Sequence, residues 1–329
     1  MTATAAPLVE LRDVAVRYAG RSSVLGRLRH RPSTDVEAVA GITLQIRAGE
    51  MLALVGESGS GKTSTGHVAM RLVPAAAGSV HFGGADVTDA GGRGLRKLRR
   101  EMQLIYQDPY EALDPRCRVR AILEEPLRIH AHQLSRAERG ERIVQALTRV
   151  GMTPELFLDR YPAELSGGQR QRVAIAASLM LDPRFVVADE PVSMLDVSVR
   201  AEIMALLGSL RDSGMGVLLI THDLATAAKY ADRIAVMYVG RVVEEGSTAG
   251  VVSAPQHPYT RALVSAVPRL DPERSGGIEV LAGEIPDPAH APSGCRFHPR
   301  CPIAVEECRS LEPPLTDRGN GRSVACPRV

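Results

Sequence analysis

Met51-Leu52-Ala53-Leu54-Val55 runs straight into Gly56-Glu57-Ser58-Gly59-Ser60-Gly61-Lys62-Thr63, and Thr65 to Leu72 follows. The apolar run reads as a strand and the residues after Lys62 as a helix, so the glycines sit where a strand turns into a helix. Such a loop folds tightly enough for several backbone N–H groups to point inward, and the helix behind it adds its partial positive end. The result is a cradle for phosphates. Lysine occurs only at Lys62, Lys97 and Lys229, against a large excess of arginine, so a lysine in this slot is not compositional noise. Its ammonium is expected to reach β- and γ-phosphate oxygens, and the Thr63 hydroxyl to coordinate Mg²⁺. A glycine-rich surface turn is the competing reading, and the intact flanks argue against it.

Two further elements follow in order. Leu165-Ser166-Gly167-Gly168-Gln169 opens a helix that runs to Met180. Phe185-Val186-Val187-Ala188 is a short unbroken apolar run, as in a strand buried on both faces of a parallel sheet, and it ends in Asp189-Glu190. Asp189 is expected to hold Mg²⁺ through water and Glu190 to polarise the water attacking the γ-phosphate. A base so positioned contributes about 10²–10⁴-fold in rate. An acidic pair at a strand end is weak evidence alone, and gains weight from its company.

The phosphate loop, Gln107, the Leu165-to-Gln169 signature, Asp189-Glu190, the Ser193-Met194-Leu195-Asp196 loop and His222 in Thr221-His222-Asp223 together resemble the nucleotide-binding subunit of an ABC transporter. The resemblance implies a P-loop NTPase core that hydrolyses ATP with Mg²⁺. Nucleotide binding falls to Gly56, Ser58, Gly59, Ser60, Gly61, Lys62, Thr63 and Ser64. Tyr18 is the candidate for stacking on adenine, and a packed strand residue is the other reading of that position. Ser166, Gly167, Gly168 and Gln169 would bind the γ-phosphate of an ATP held by a partner subunit, and Asp196 would cross the dimer interface. Two such domains then close head to tail around two nucleotides. Glu190, His222 and Gln107 carry catalysis in this scheme, with Thr63, Gln107 and Asp189 on Mg²⁺. Met194 stands where many members have alanine, and tuning rather than loss is expected.

At 329 residues and 44% hydrophobic the chain can bury a sizeable core, and its length suggests about two domains. A net charge of +2 gives no reason to expect nucleic acid or acidic lipid as a general partner. No apolar run approaches the ~20 residues that span a bilayer, and the N-terminus lacks the layout of a signal peptide. A cytoplasmic chain that reaches a membrane only through partners is therefore expected, and the resemblance implies a peripheral subunit at the cytoplasmic face of the inner membrane. Strands alternate with turns from Leu8 to about Leu113, helix dominates Val119 to Met180, and strand and helix alternate again to about Glu245. The expected fold class is α/β: an ABC-type core with an inserted helical subdomain at about 114–181, an N-terminal antiparallel β-subdomain and a small cysteine-containing C-terminal extension. The domain reading is 1–267 for the nucleotide-binding domain and 268–329 for the extension, with a linker over 268–277.

Gln256-His257-Pro258-Tyr259-Thr260 and Ser293-Gly294-Cys295-Arg296-Phe297-His298-Pro299-Arg300-Cys301-Pro302 are similar to the C-terminal extension of oligopeptide and dipeptide importers, a branch that includes nickel-type importers. The insertion from Gly20 to Val36 resembles the second of the two ATPases such systems carry. That implies a heterodimer with a second ABC ATPase, two integral membrane permeases and an extracytoplasmic substrate-binding protein. Peptide import is the leading reading, nickel or another small solute the alternative. A third is an ABC ATPase acting on ribosomes or DNA, whose tandem domains or long coiled coils are absent here. Cys117 reads as a small buried hydrophobe. Cys295, Cys301, Cys308 and Cys326 have five, six and seventeen residues between successive members. Zinc ribbons favour pairs ~2–4 residues apart, and disulfides are not expected in a cytoplasmic chain. The resemblance implies a 4Fe-4S cluster on these four residues, with free structural thiols as the alternative.

Overall fold

A computed structural model describes residues 6–19, 35–267, 281, 283–284 and 286–329. The expected linker at 268–277 and nearly all of the Gly20 to Val36 insertion lie outside the described residues. In chain order the described strands are β1 (Val9–Tyr18), β2 (Val36–Ile46), β3 (Met51–Val55), β4 (Ala77–Phe82), β5 (Ala85–Asp86), β6 (Met102–Ile105), β7 (Phe185–Asp189), β8 (Gly216–Thr221), β9 (Arg233–Tyr238), β10 (Arg241–Ser247), β11 (Thr316–Asp317) and β12 (Ser323–Val324). The helices are α1 (Lys62–Ala69), α2 (Gly92–Glu101), α3 (Pro109–Ala112), α4 (Val119–His130), α5 (Arg136–Arg149), α6 (Pro154–Phe157), α7 (Gly167–Leu179), α8 (Val197–Asp212), α9 (Leu224–Tyr230), α10 (Thr248–Ser253), α11 (Pro258–Ser265) and α12 (Glu307–Ser310). Two compact units share these elements. The first holds Ile46–Met51 and Ala90–Leu219 with the segment before Val9, and the second holds Val9–Gln45, Leu52–Asp89 and everything from Ile220.

In the first unit, β6 runs parallel to β7 with Met102 opposite Phe185 and Ile105 opposite Ala188, and β8 lies beyond β7. Every residue of β7 is buried, which is why its sequence is an unbroken apolar run. The helical insert packs α4, α5 and α7 on one another. Val119, Leu123 and Leu127 fall at four-residue spacing on one face of α4 and are fully buried, as are Leu147 of α5 and Val173 and Ile175 of α7. Each such leucine withdrawn from water stabilises the unit by about 1.5–3 kcal/mol. Helix α5 starts at a capping box: the Glu138 N–H donates to Ser135 Oγ at 3.3 Å and the Ser135 N–H donates to Glu138 Oε2 at 2.7 Å.

The second unit contains the antiparallel sheet expected near the N-terminus, ordered β2-β1-β4-β5, with Val9 opposite Phe82. Its register shifts between Arg12 and Ala15, where Asp13 takes φ 48° and a Cβ on Gly78 would lie 2.3 Å from the Asp13 carbonyl oxygen. A second set of strands runs β11-β12-β10-β9-β3. There β3 is parallel to β9, with Leu52 opposite Arg233 and Val55 opposite Val236, while β9 and β10 form an antiparallel hairpin. Buried Glu244 on β10 accepts from the N–H groups of Gln256 and His257 and from Arg322, beside β12, so the C-terminal chain is sewn to the hairpin by one carboxylate. Cys117 is only half-buried, less than its reading as a buried hydrophobe required, because it sits in the turn before α4.

His257 caps α11. Its Nδ1 accepts from the Tyr259 N–H at 3.1 Å, and burial depresses its pKa from 6.5 to about 3, with Arg261 adding in the same direction. As pH falls, the unfolded chain therefore takes up this proton first. The stability contributed by neutral His257 is intact above pH 6.5 and is lost progressively between pH 6.5 and about 3. His257→Asn keeps a cap acceptor but cannot titrate, so denaturant unfolding compared at about pH 7 and about pH 5 should show a smaller acid loss for the variant than for the native protein.

Candidate functional site

The phosphate loop belongs wholly to the second unit. A Cβ on Gly56 would lie 2.2 Å from the Met237 carbonyl oxygen, and one on Gly61, at φ +100°, 2.1 Å from that of Ala38. Glycine is required at both places because neighbouring backbone occupies the side-chain position. The Gly240 N–H donates to Ser60 O at 2.8 Å, so the β9–β10 turn props the loop from behind. Lys62, 5% exposed, arches back over the loop and donates to Gly56 O and Glu57 O, each at 2.8 Å, with Ser60 Oγ at 3.4 Å. Ser58, Gly59 and Thr63 are exposed on its open side. Main-chain donors of a tight turn, a helix N-terminus and one buried ammonium fit a polyphosphate such as that of ATP, with the Thr63 hydroxyl available to a divalent cation.

Tyr18 is 40% exposed at the end of β1, and its hydroxyl donates to Ser64 Oγ at 3.2 Å on α1. The loop and Tyr18 are thereby brought together. His222, just past β8, is exposed, and the next residue, Asp223, caps α9 through the Ala225 N–H at 2.9 Å.

The first unit gathers the acidic and signature residues. Asp189 is buried at the end of β7, and Glu190 follows at φ 44°. A non-glycine residue in this left-handed region turns the chain off the strand at once. Gln107 Nε2 donates to Glu190 Oε2 at 3.1 Å, so these two residues, distant in sequence, meet. Ser193 holds the Glu190 carbonyl through its N–H at 3.2 Å and its Oγ at 3.1 Å. Ser166 and Gln169 form a capping box on α7: the Gln169 N–H donates to Ser166 Oγ at 3.3 Å and the Ser166 N–H to Gln169 Oε1 at 3.0 Å. The signature is thus the start of a helix, with Gly167 first in it and Ser166 exposed. A Cβ on Gly168 would press on Val199 at 2.6 Å. Asp196 is exposed at the N-terminus of α8.

Four contacts were missed from sequence. Arg170, 9% exposed, lies over the Tyr110 ring at 3.9 Å and donates to Pro162 O at 2.6 Å, joining the signature helix to the segment after Gln107. Glu57 of the loop is gripped by Tyr259 and Arg300. Nothing in local spacing flags these contacts, and all but the bond from Arg170 to Pro162 join distant segments.

Cys295 and Cys301 are half-buried, and Cys308 and Cys326 are buried. Burial pushes the Cys295 thiol up to about 11, and the neighbouring Cys308, Cys301 and Cys326 thiols add to the rise, so the four share one neighbourhood. Among the described residues no group of three or more His, Cys, Asp or Glu side chains is arranged to hold a metal ion.

The geometry separates two glycines of the loop. Gly59 has open space around its Cβ position, so Gly59→Ala meets only the left-handed backbone penalty of about 1–2 kcal/mol. Gly61→Ala must also displace the Ala38 carbonyl. Calorimetric titration with MgATP should show binding weakened several-fold by Gly59→Ala and abolished by Gly61→Ala.

Residues 39–193 match the ABC transporter family, and residues 243–308 match the oligopeptide/dipeptide transporter C-terminal region. A putative peptide import ATP-binding protein of Brucella ovis is 44% identical over 99% of both chains. Dipeptide transport ATP-binding protein DppF of Haemophilus influenzae is 44% identical over 89% of each chain, and oligopeptide transport ATP-binding protein OppF of the same organism 41% over 91% of this chain and 90% of its own. Among solved structures, the ATP-binding cassette MJ0796, dimeric in a post-hydrolysis state with ADP and Pi, superposes with a TM-score of 0.64 at 29% identity, over 73% of this chain and 98% of that one. Among the described residues no helix is long and apolar enough to cross a membrane. The phosphate loop, the Gln107–Glu190 pair and the capped signature helix accord with these matches, and the chain belongs to the ATP-binding subunits of ABC transporters that carry the oligopeptide/dipeptide C-terminal region.

Proposed function

We propose that this chain is the ATP-hydrolysing subunit that powers import of di- and oligopeptides through a membrane ABC transporter. The observation that carries the reading is the presence on one chain of a phosphate cradle spanned by Lys62 and of the oligopeptide/dipeptide C-terminal region over residues 243–308. The relatives described above that are named for a cargo are named for peptides, which favours peptide over nickel. That same C-terminal region argues against an ABC ATPase working on ribosomes or DNA.

In this reading the loop from Gly56 to Ser64 holds the ATP phosphates, Lys62 exchanging its contacts with Gly56 and Glu57 for phosphate oxygens, and Tyr18 stacks on the base. Thr63, Gln107 and Asp189 are the residues for Mg²⁺, which supplies neutralisation of the charge on the β- and γ-phosphates. Glu190 accepts a proton from the attacking water, and His222 and Gln107 orient that water at the γ-phosphate. The Gln107–Glu190 hydrogen bond supports this assignment, since it holds the carboxylate in one orientation at the end of the strand. Ser166, Gly167, Gly168, Gln169 and Asp196 serve the ATP of a second ABC ATPase, and the functional unit is a heterodimer because the Gly20 to Val36 insertion resembles the second of two such ATPases. It sits on two permeases fed by an extracytoplasmic binding protein, at the cytoplasmic face of the inner membrane. Residues 1–267 form the nucleotide-binding domain and 268–329 the extension.

Cys295, Cys301, Cys308 and Cys326 are proposed to hold a 4Fe-4S cluster. Cys301, Cys308 and Cys326 lie close enough to Cys295 to raise its pKa, which supports the four as a donor set, and ligation would require their deprotonation and a closer approach than they have here. Anaerobically purified protein should contain about four iron and four sulfide per chain. Iron-free protein would overturn the assignment.

The hydrolytic assignment has its own test. Glu190→Gln should retain ATP binding and form a stable ATP-bound dimer with its partner ATPase, while losing about 10²–10⁴-fold in turnover by phosphate release. Undiminished hydrolysis would remove Glu190 from its role.

A further inference from the structure

Glu57 is the second residue of the phosphate loop, and its peptide is held on every polar side. Its N–H donates to the Tyr259 hydroxyl oxygen at 2.9 Å. Its carbonyl accepts from Lys62 Nζ at 2.8 Å and from the Ser60 N–H at 3.2 Å. Its carboxylate takes both ends of the Arg300 guanidinium, Nη1 at 2.8 Å and Nη2 at 3.3 Å. Both outside partners come from the C-terminal region: Tyr259 from α11, and Arg300 from the one-turn 3₁₀ helix His298–Arg300 that leads into Cys301.

Neither contact has the freedom of a surface pair. Tyr259 is fully buried and the Arg300 side chain 7% exposed, against 25% for Glu57. Burial raises the Tyr259 phenol, and the Glu57 carboxylate beside it acts in the same direction, so the hydroxyl stays protonated and neutral beside the loop. Behind the pair stands an aromatic cluster. Tyr238 and Tyr259 pack at 4.7 Å, Phe297 meets Tyr238 edge-on at 5.2 Å, and His257 lies 5.5 Å from Phe297. The chain has only seven tyrosines and four phenylalanines, and three of them are spent on this support. Tyr238 closes the circuit, because Arg300 Nη1 donates to its hydroxyl at 3.4 Å and it ends the strand whose Met237 carbonyl presses on Gly56. Arg296, from the same cysteine-bearing segment, donates to Val239 O at 2.8 Å in the turn that props Ser60.

We propose that Arg300 and Tyr259 are positioning residues for ATP, acting through Glu57, so that the seating of the cysteine-bearing C-terminal segment sets the nucleotide affinity of the phosphate loop. Lys62 must leave the Glu57 carbonyl to reach phosphate. Arg300 and Tyr259 keep the Glu57 peptide in place when it does, so the loop does not collapse or swing. This inference rests on the reading of the loop as the ATP site.

The test uses the full chain carrying Glu190→Gln, so that ATP is not consumed, and titrates MgATP calorimetrically, with nucleotide-free thermal unfolding alongside. Arg300→Met should weaken ATP binding roughly tenfold, and Arg300→Lys should recover part of the loss. The exchange Glu57→Arg with Arg300→Glu should bind more tightly than either single charge reversal. A purely structural anchor would lower the unfolding temperature of Arg300→Met yet leave its ATP affinity within about twofold, and that result overturns the proposal. Should Arg300→Met fail to fold, Tyr259→Phe removes only the acceptor of the Glu57 N–H and must itself weaken binding, since unchanged affinity there is equally fatal. If protein with native Arg300 and Tyr259 binds no ATP, it is the assignment of the loop that fails.

Discussion

Two backbone oxygens, those of Met237 and Ala38, occupy the positions where Gly56 and Gly61 would carry side chains, and the shape of the glycine loop depends on that close approach. It requires β3 to lie beside β9, as the Val55–Val236 register provides, and the end of β9 to turn back beneath the loop. The turn itself is strained: Val239, a β-branched residue, sits at φ 40° ahead of Gly240 at φ 78°. Left-handed conformations of this kind cost about 1–3 kcal/mol and persist only where the surroundings impose them. Here the imposing contacts are the Gly240 N–H on Ser60 and the Arg296 guanidinium on Val239 O. A hairpin that would ordinarily prefer Asn-Gly is thus held by the elements it supports.

The acid side obeys a comparable logic within its own unit. Strand β7 is buried throughout, so a carboxylate can reach water only by leaving the strand abruptly. Glu190 does so with φ 44°, and the two hydrogen bonds donated by Ser193 to its carbonyl fix the turn. The start of the signature helix is tied to its neighbours by its own Arg170, which spans from Pro162 O to the Tyr110 ring.

Much of this was legible in the sequence because the chemistry is written in short contiguous runs. A glycine at Gly56 and at Gly61 between an apolar strand and a helix admits few structures, and the unbroken apolar run at Phe185 to Ala188 announced burial on both faces. The helical insert was legible from the helical character of the run from Val119 to Met180. What escaped were contacts between segments. Glu57 and Arg300 are 243 positions apart, and Glu57 and Tyr259 are 202 apart. At such separations no local pattern constrains which arginine or tyrosine faces which loop. Cys117 was misjudged for a similar reason, since residue type says little about exposure in a turn. The hydroxyl bond from Tyr18 to Ser64 was equally invisible, because it needs the relative placement of β1 and α1.

The central claim is that this ATP-driven subunit serves a peptide-importing membrane complex, and affinity capture from gently solubilised native cells tests it most directly. Tagged Glu190→Gln protein held with MgATP should bring down two integral membrane proteins, a sister ATPase and an extracytoplasmic binding protein that carries peptide. Recovery of ribosomal or DNA-repair proteins in their place would contradict the account.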